Sequence, residues 1–296
     1  MKRHAKSYRR GPVYEGVAAK KNLGQHFLAD EDTAIEIVDS LLIPETDLEG
    51  NPIGENSVPV LEIGPGTGVL TKYLLMDKRI KLELCEVDDE SIDKLRDRFP
   101  QFLYTLVKRD FLQCDLSEIF PKKRITDEEV YIIGNFPYNI SSQIFFKILE
   151  DRDRVTQVVC MLQKEVAQRL ASAPGGKDYG ILSVFLQAWY DIEYLFTVNE
   201  DVFVPAPKVK SGVIRLWRNT RESLGCDEKL FREIVKSCYN QRRKTLRNSI
   251  KPILSSYSES PDFERINGKI EGTNLLSLRP EQLSVEDWIT LTNCFA

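Results

Sequence analysis

The chain predicts an α/β protein: a mostly parallel sheet with helices on both faces, followed by a small all-helical C-terminal domain. Three observations predict it. Short apolar runs that read as strands alternate with runs of helical period between Val60 and Trp217. A glycine-rich turn, Gly64-Pro65-Gly66-Thr67-Gly68, follows the first of those strands and opens a helix. After about Asn219 the strand signals stop and only helical periods remain. Alternation of this kind builds parallel strands joined by crossover helices that cover the sheet on both sides.

The elements follow in order. Asp30 or Asp32 caps a helix to about Leu42, with Ile35, Val38, Leu41 and Leu42 on one face. Residues 44–59, rich in Gly, Asn and Pro, read as a connecting loop. Val60–Ile63 is the first strand, and the helix after it includes Leu70, Tyr73, Leu74 and Leu75. Lys81–Val87 is the second strand, Ser91–Phe99 a helix, Phe102–Lys108 the third strand and Val130–Gly134 the fourth. Ile140–Leu149 is helical, Gln157–Leu162 is the fifth strand and Lys164–Ala171 a helix. Residues 173–180 break the pattern; a helix over Ile181–Trp189 leads into Ile192–Val198, and Gly212–Trp217 is the last strand. Helices over Glu228–Cys238, Lys244–Leu254, Asp262–Ile266 and Val285–Thr292 complete the chain. This divides it into a basic, loosely ordered segment (1–22), an α/β domain (23–218) and a helical domain (219–296).

Composition narrows the function classes. The net charge of −4 over 296 residues does not by itself suggest a polyanion partner, but the distribution does. Lys2, Arg3, Lys6, Arg9, Arg10, Lys20 and Lys21 crowd the N-terminal end, and a second basic stretch runs from Lys208 to Lys251. Such patches release counterions from a phosphate backbone; a solvated, mixed-charge surface is the plain alternative. The cysteines at 85, 114, 160, 226, 238 and 294 form no C-x-x-C pair, and several read as small core residues. With only His4 and His26, a histidine metal site or a Ser-His-Asp triad has little to work with, and no metal is expected. No apolar run is long enough to span a membrane, and the basic N-terminus lacks the apolar core of a secretory signal. A mitochondrial presequence stays open on charge alone; a reduced, cytoplasmic setting fits best.

The candidate site residues stand at strand ends, where an open α/β sheet places its ligands. Glycines Gly64, Gly66 and Gly68 permit a tight turn and close approach of a ligand to the backbone. Alone, such a loop serves dinucleotides, flavins and S-adenosylmethionine alike; Glu62, two before the first glycine, leans to the last. Glu86 ends the second strand, where an acid holds both ribose hydroxyls. Asp110 follows the third strand and can accept from an adenine amino group, or it caps a turn. Asn135-Phe136-Pro137-Tyr138 close the fourth strand. The Asn135 side-chain carbonyl and the Phe136 backbone carbonyl beside Pro137 can accept both hydrogens of a planar amino group, and the Tyr138 ring can lie against a flat heterocycle. An ordinary strand-to-helix turn is the alternative for these four.

The chain resembles the small-subunit ribosomal RNA adenine dimethyltransferases, the KsgA family, relatives of the Erm 23S rRNA methyltransferases. The matching stretches are Lys21-Asn22-Leu23-Gly24-Gln25-His26-Phe27-Leu28, Glu62 to Gly68, Asn135 to Ser141, Val202 to Ser211, Gln241 to Asn248 and Leu278 to Ser284. The resemblance runs from about residue 20 to 292. It implies a Rossmann-like catalytic domain with a helical RNA-binding domain. It implies S-adenosylmethionine contacts at His26, Leu28, Gly64, Glu86, Asp110 and Asn135, to which the loop reading adds Gly66. It also implies that Phe203 covers the face of the target base opposite Tyr138, core packing being the plainer role for that ring. Lys208, Lys210, Arg242, Arg243, Lys244 and Arg247 are expected to grip RNA phosphates, the last four on a helix. The implied reaction is N6,N6-dimethylation of two adjacent adenines in the 3′-terminal hairpin loop of small-subunit rRNA in a pre-30S particle, by a monomer, releasing S-adenosylhomocysteine. His26 departs from the Asn of many members, and residues 44–59 have no role to read. An amino methyltransferase of DNA or protein, a non-catalytic assembly factor and, more distantly, an NAD-dependent dehydrogenase remain as alternatives.

Overall fold

The computed structural model describes residues 12–47, 49–102, 106–121 and 129–296. Lys2, Arg3, Lys6, Arg9 and Arg10 lie outside them, as does the middle of the expected third strand. Two short strands, β1 (Val13–Tyr14) and β2 (Val17–Ala18), come first, then β3 (Phe27–Leu28) and α1 (Glu31–Asp39). The alternating part follows: β4 (Val58–Ile63), α2 (Val69–Leu74), β5 (Ile80–Glu86), α3 (Asp89–Arg98), β6 (Val107–Lys108), α4 (Leu116–Ile119), β7 (Val130–Asn135), α5 (Ser141–Glu150), β8 (Val155–Gln163) and α6 (Lys164–Ala171). Next come α7 (Ile181–Gln187), β9 (Tyr190–Val198), β10 (Phe203–Val204) and β11 (Ser211–Arg218). The remainder is α8 (Glu228–Asn240), α9 (Leu246–Ser249), α10 (Lys251–Ser255), α11 (Phe263–Glu271) and α12 (Val285–Asn293).

A seven-stranded sheet runs in the order β6-β5-β4-β7-β8-β11-β9. From β6 to β8 every pairing is parallel, and β11 is antiparallel to β8. The chain leaves β4 in one direction along the sheet and returns on its other side at β7. That reversal opens a crevice beyond the carboxyl ends of β4 and β7. Both faces of the central strands are covered, so Val60, Leu61, Ile132 and Ile133 are all buried. This is why these strands read as apolar runs rather than as alternation. The β4 strand begins at Val58, earlier than Val60, because β7 pairs only from Val60 onward and the missing N–H of Pro59 falls outside that ladder.

Two readings are corrected. The segment expected to be loose forms the β1–β2 hairpin from Val13 onward, with Glu15 and Gly16 at φ +48° and +90° in its turn. Val17, Ala18 and Ala19 are buried, and the Tyr14 ring stacks on Phe27 at 6.0 Å. The helix expected over Lys244–Leu254 is broken into α9 and α10, with Pro252 near the start of the second. A proline has no N–H to bond the carbonyl of the preceding turn.

The chain forms two compact units, Met1–Ala167 with Glu193–Trp217, and Gln168–Ile192 with Arg218–Ala296. In the second, α8 buries Phe231, Ile234, Val235, Cys238 and Tyr239, the one-sided spacing of an amphipathic helix. Asp227 caps that helix by accepting from the Leu230 N–H at 2.9 Å. No helix among the described residues is long and apolar enough to cross a membrane.

Candidate active site

A cavity of about 400 Å³ opens at the carboxyl ends of β4, β5 and β7, large enough for a small ligand. His26, Leu28, Gly64, Gly66, Glu86, Asp110 and Asn135 all line it, and so do Phe136, Pro137 and Tyr138. Two glycines of the loop after β4 do different work. At Gly64, φ is +65° and an added Cβ would meet nothing within 4 Å, so the bare backbone faces open space. At Gly68 an added Cβ would come within 2.5 Å of Phe99 and 3.0 Å of Leu95, so that glycine lets the loop pack against α3.

On the β5 side the cavity wall is acidic. Glu86 is 5% exposed and accepts three backbone N–H groups, from Val87 at 2.8 Å, Asp88 at 2.9 Å and Gly66 at 3.1 Å. Burial raises its pKa, and those bonds hold it back only in part. Asp110 Oδ1 accepts from the Leu112 N–H at 3.0 Å, so the residue does cap a turn; its second oxygen takes no part in that bond. Below the loop, Glu62 accepts from the Thr71 hydroxyl at 2.6 Å. Burial is the main reason its pKa is pushed up to about 8, with Thr71 opposing and the Glu86 charge adding.

Sequence reasoning missed Asp88, which ties the N-terminal segment to this wall. It caps α3 and receives hydrogen bonds from Ser91, from Gln25 Nε2 at 3.2 Å and from the Lys20 ammonium. Burial pushes its carboxyl up, but those partners outweigh it and leave it below the ordinary range. An Asp preceding Asp-Glu-Ser is a readable cap; its partners at Lys20 and Gln25 are set only by the fold.

On the β7 side the wall carries an amide and a phenol rather than acids. Asn135 Nδ2 donates to the His26 carbonyl oxygen at 2.9 Å, leaving Oδ1 outside that bond. The His26 ring stacks on Tyr138 with centroids 5.5 Å apart and planes 25° apart. His26 Nδ1 and the Pro205 carbonyl oxygen are 2.7 Å apart. The Tyr138 hydroxyl and Ser211 Oγ lie 2.5 Å apart. Burial raises the Tyr138 pKa, Ser211 opposing, so the phenol is neutral at physiological pH.

Phe203 is not brought to the cavity. It pairs with Leu28 across the β3–β10 ladder, is 3% exposed and belongs to the main core with Leu28, Val198 and Val213. The six cations differ. Arg242, Arg243 and Lys244 sit in the turn after α8 rather than on a helix; only Arg247 is helical, in α9. Arg242 Nε lies 3.6 Å from Glu281, and its guanidinium donates to the Lys177 carbonyl. Arg247 pairs with Glu271 at 2.8 Å. Lys208, Lys210, Arg243 and Lys244 are exposed and have no ion-pair partner among the described residues.

Residues 16–292 match the family described as ribosomal RNA adenine dimethylase. The ribosomal RNA small subunit methyltransferase A of Parabacteroides distasonis is 51% identical over 276 residues, 93% of each chain. Its namesake from Porphyromonas gingivalis is 50% identical over 276 residues, 93% of this chain and 97% of that one. A dimethyladenosine transferase structure from Plasmodium falciparum superposes with a TM-score of 0.71 at 24% identity, covering 90% of this chain and 96% of the other. The 23S rRNA methyltransferase ErmE superposes with a TM-score of 0.60, also at 24% identity, covering 90% and 98%. These two superpositions establish a shared fold. With a crevice at the strand reversal, a glycine loop facing open space, and sequence identity near one half over almost the whole length, the chain belongs to the ribosomal RNA adenine dimethylase family.

Proposed function

We propose that the cavity binds S-adenosylmethionine and that the chain dimethylates N6 of two adjacent adenines in the 3′-terminal hairpin loop of 16S rRNA. The substrate is a pre-30S particle in the cytoplasm, the protein acts as a monomer, and S-adenosylhomocysteine is released. Membership of the family supports the reaction class and the rRNA substrate. One observation supports the chemistry: the Asn135 amide is oriented by its Nδ2 bond to the His26 carbonyl oxygen, so Oδ1 is the atom left over to accept from a ligand.

The residues present fit the cofactor. Gly64 offers backbone with open space before it. Glu86 has used three lone-pair positions on backbone N–H groups, and a carboxylate has about four, leaving capacity for a ribose hydroxyl. The second oxygen of Asp110 suits an adenine amino group. When bound, S-adenosylmethionine supplies a methyl group on a cationic sulfur. The N6 of adenine is a poor nucleophile because its lone pair is delocalised into the ring. Asn135 Oδ1 and the Phe136 carbonyl accept its two hydrogens, which localises the lone pair on nitrogen and stabilises the charge that develops there. Tyr138 stacks on the base by the ring face that His26 leaves uncovered. In the second methylation one hydrogen remains, so one acceptor position must tolerate a methyl group. A base leaves its stack at a cost of a few kcal/mol, least in a loop, which suits a hairpin-end target.

The test is Asn135→Ala. Methyl transfer from tritiated S-adenosylmethionine to unmethylated 30S subunits is expected to fall by roughly 10²–10³-fold, the loss typical of one aligned polar group. Subunit binding, measured by filter retention, should hold. Near-normal transfer by that variant refutes the reading.

A further inference from the structure

Behind the acidic wall two thiols face each other. Cys85, next to last in β5, and Cys114, four residues beyond Asp110, bring their Sγ atoms to 3.7 Å, and each is 2% exposed. Each thiol also donates to the backbone of the intervening turn, Cys85 to the Arg109 carbonyl at 3.2 Å and Cys114 to the Asp110 carbonyl at 3.4 Å. Cys85 lines the cavity and Cys114 does not. Buried cysteines are most often inert core residues. This pair differs in two ways: the sulfurs need little movement to bond, and Cys85 is one of the residues that line the cavity, the side from which a small oxidant would reach the pair. The pair is also the only thiol–thiol contact at hydrogen-bond distance among the described residues.

We propose that Cys85 and Cys114 form a peroxide-oxidisable dithiol, whose disulfide pulls the Asp110 turn against the end of β5 and reshapes the cavity wall. The Cys85 sulfur attacks one oxygen of hydrogen peroxide. The O–O bond breaks, the departing hydroxide takes the thiol proton as water, and Cys85 is left as a sulfenic acid. The Cys114 sulfur then attacks the Cys85 sulfur. The S–O bond breaks, and the hydroxide leaves with the Cys114 proton as a second water. Two thiols lose two electrons, and one peroxide gains them. The sulfurs close from 3.7 Å to a bond of about 2 Å, and the turn between Arg109 and Cys114 must follow. Glu86 and Asp110 flank the two cysteines in sequence, so their spacing changes with the bond. The effect on cofactor rests on the cofactor reading above; formation of the bond does not.

The experiment treats the full-length protein with hydrogen peroxide, alkylates the remaining thiols and maps peptides by mass spectrometry. A Cys85–Cys114 cross-link that dithiothreitol removes is expected, while half-exposed Cys226 reports the general reactivity of thiols. If Cys226 oxidises and no cross-link appears, the proposal falls; this arm needs no variant. S-adenosylhomocysteine at about 100 times its Kd should slow cross-linking roughly 100-fold, since only the free protein reacts. Calorimetry on the reduced protein separates the two ideas. If reduced protein fails to bind S-adenosylhomocysteine, the cofactor reading fails and the cross-link stands. If it binds and gives no protection, the entry route through the cavity is overturned. The oxidised protein is expected to bind at least about tenfold more weakly, and equal affinity overturns the reshaping.

Discussion

The cavity handles polarity in opposite ways on its two sides. On the β4–β5 side the polar groups are acids that are hydrogen-bonded by their own chain: Glu86 by three backbone N–H groups, Glu62 by Thr71. On the β7 side Asn135 uses one half of its amide internally, on the His26 carbonyl, and leaves the other half over. Groups filled by their own chain, as Glu62 is by Thr71, shape the site, and groups with an acceptor position left over, one on Glu86 and Oδ1 on Asn135, are the ones positioned to meet a ligand. A neutral amide is suited to the second task because it can be oriented by a donor bond at one atom and accept at the other.

The strongest way to break that contrast is to make the β7 side resemble the other. Asn135→Asp replaces the donating nitrogen with an oxygen that faces the His26 carbonyl oxygen, so the group turns or the pair repels. Methyl transfer to 30S subunits should fall by roughly 10³-fold, about 4 kcal/mol of barrier, with S-adenosylhomocysteine binding reduced far less. If the variant retains a tenth of the rate or more, orientation by His26 is unimportant.

A second test concerns stability alone. Glu62 has a folded pKa of about 8 against an ordinary 4.5. The folded state binds that proton more tightly, so its contribution to stability is complete below the ordinary value and is lost as pH rises through the folded one. Glu62→Gln keeps the shape and an acceptor for Thr71 but cannot ionise. The stability of the parent relative to this variant should therefore fall by a few kcal/mol between about pH 5 and pH 8, read by urea unfolding at each pH. A flat difference would mean that Glu62 is ionised throughout.

The third is smaller and acts on binding. Glu86→Gln puts an amide NH₂ where one backbone N–H now donates, and removes the charge. S-adenosylhomocysteine affinity should weaken by roughly 10–100-fold by calorimetry, the range for losing a hydrogen bond to a charged group. Unchanged affinity would place the ribose elsewhere.

Much of this was legible in the sequence, for a physical reason. Central parallel strands are buried on both faces and read as apolar runs, so Glu62, Glu86 and Asn135 could be placed at strand ends and do line one cavity. What could not be read has equally definite causes. The strands of the β1–β2 hairpin are two residues long, too short to show a period. Phe203 reads the same whether it faces a cavity or a core; its burial comes from packing with Leu28, Val198 and Val213, which only the fold brings together. The Cys85–Cys114 contact joins residues 29 apart with no spacing motif. Arg242, Arg243 and Lys244 looked helical because a helical period does not register the turn between the end of α8 at Asn240 and the start of α9 at Leu246.

Those three cations carry the contrast into the helical unit, where the expected effects are smallest. Arg242 is occupied by Glu281 and the Lys177 carbonyl, whereas Arg243 and Lys244 are exposed without ion partners among the described residues. By the rule that saturated groups shape and unsaturated groups bind, Arg243 and Lys244 meet phosphate and Arg242 braces the turn. Arg243→Ala and Lys244→Ala should each lower the slope of log affinity for rRNA against log salt by about 1, with only a few-fold loss at fixed salt. Arg242→Ala should leave that slope alone and lower the melting temperature instead, because its loss removes the donor to the Lys177 carbonyl and the charge facing the Glu281 carboxylate. Arg247, paired with Glu271 at an exposed site, should show little of either. A salt slope that falls with Arg242→Ala as much as with Arg243→Ala would mean that internal pairing does not separate bracing from binding here, and the contrast would then hold for the cavity alone.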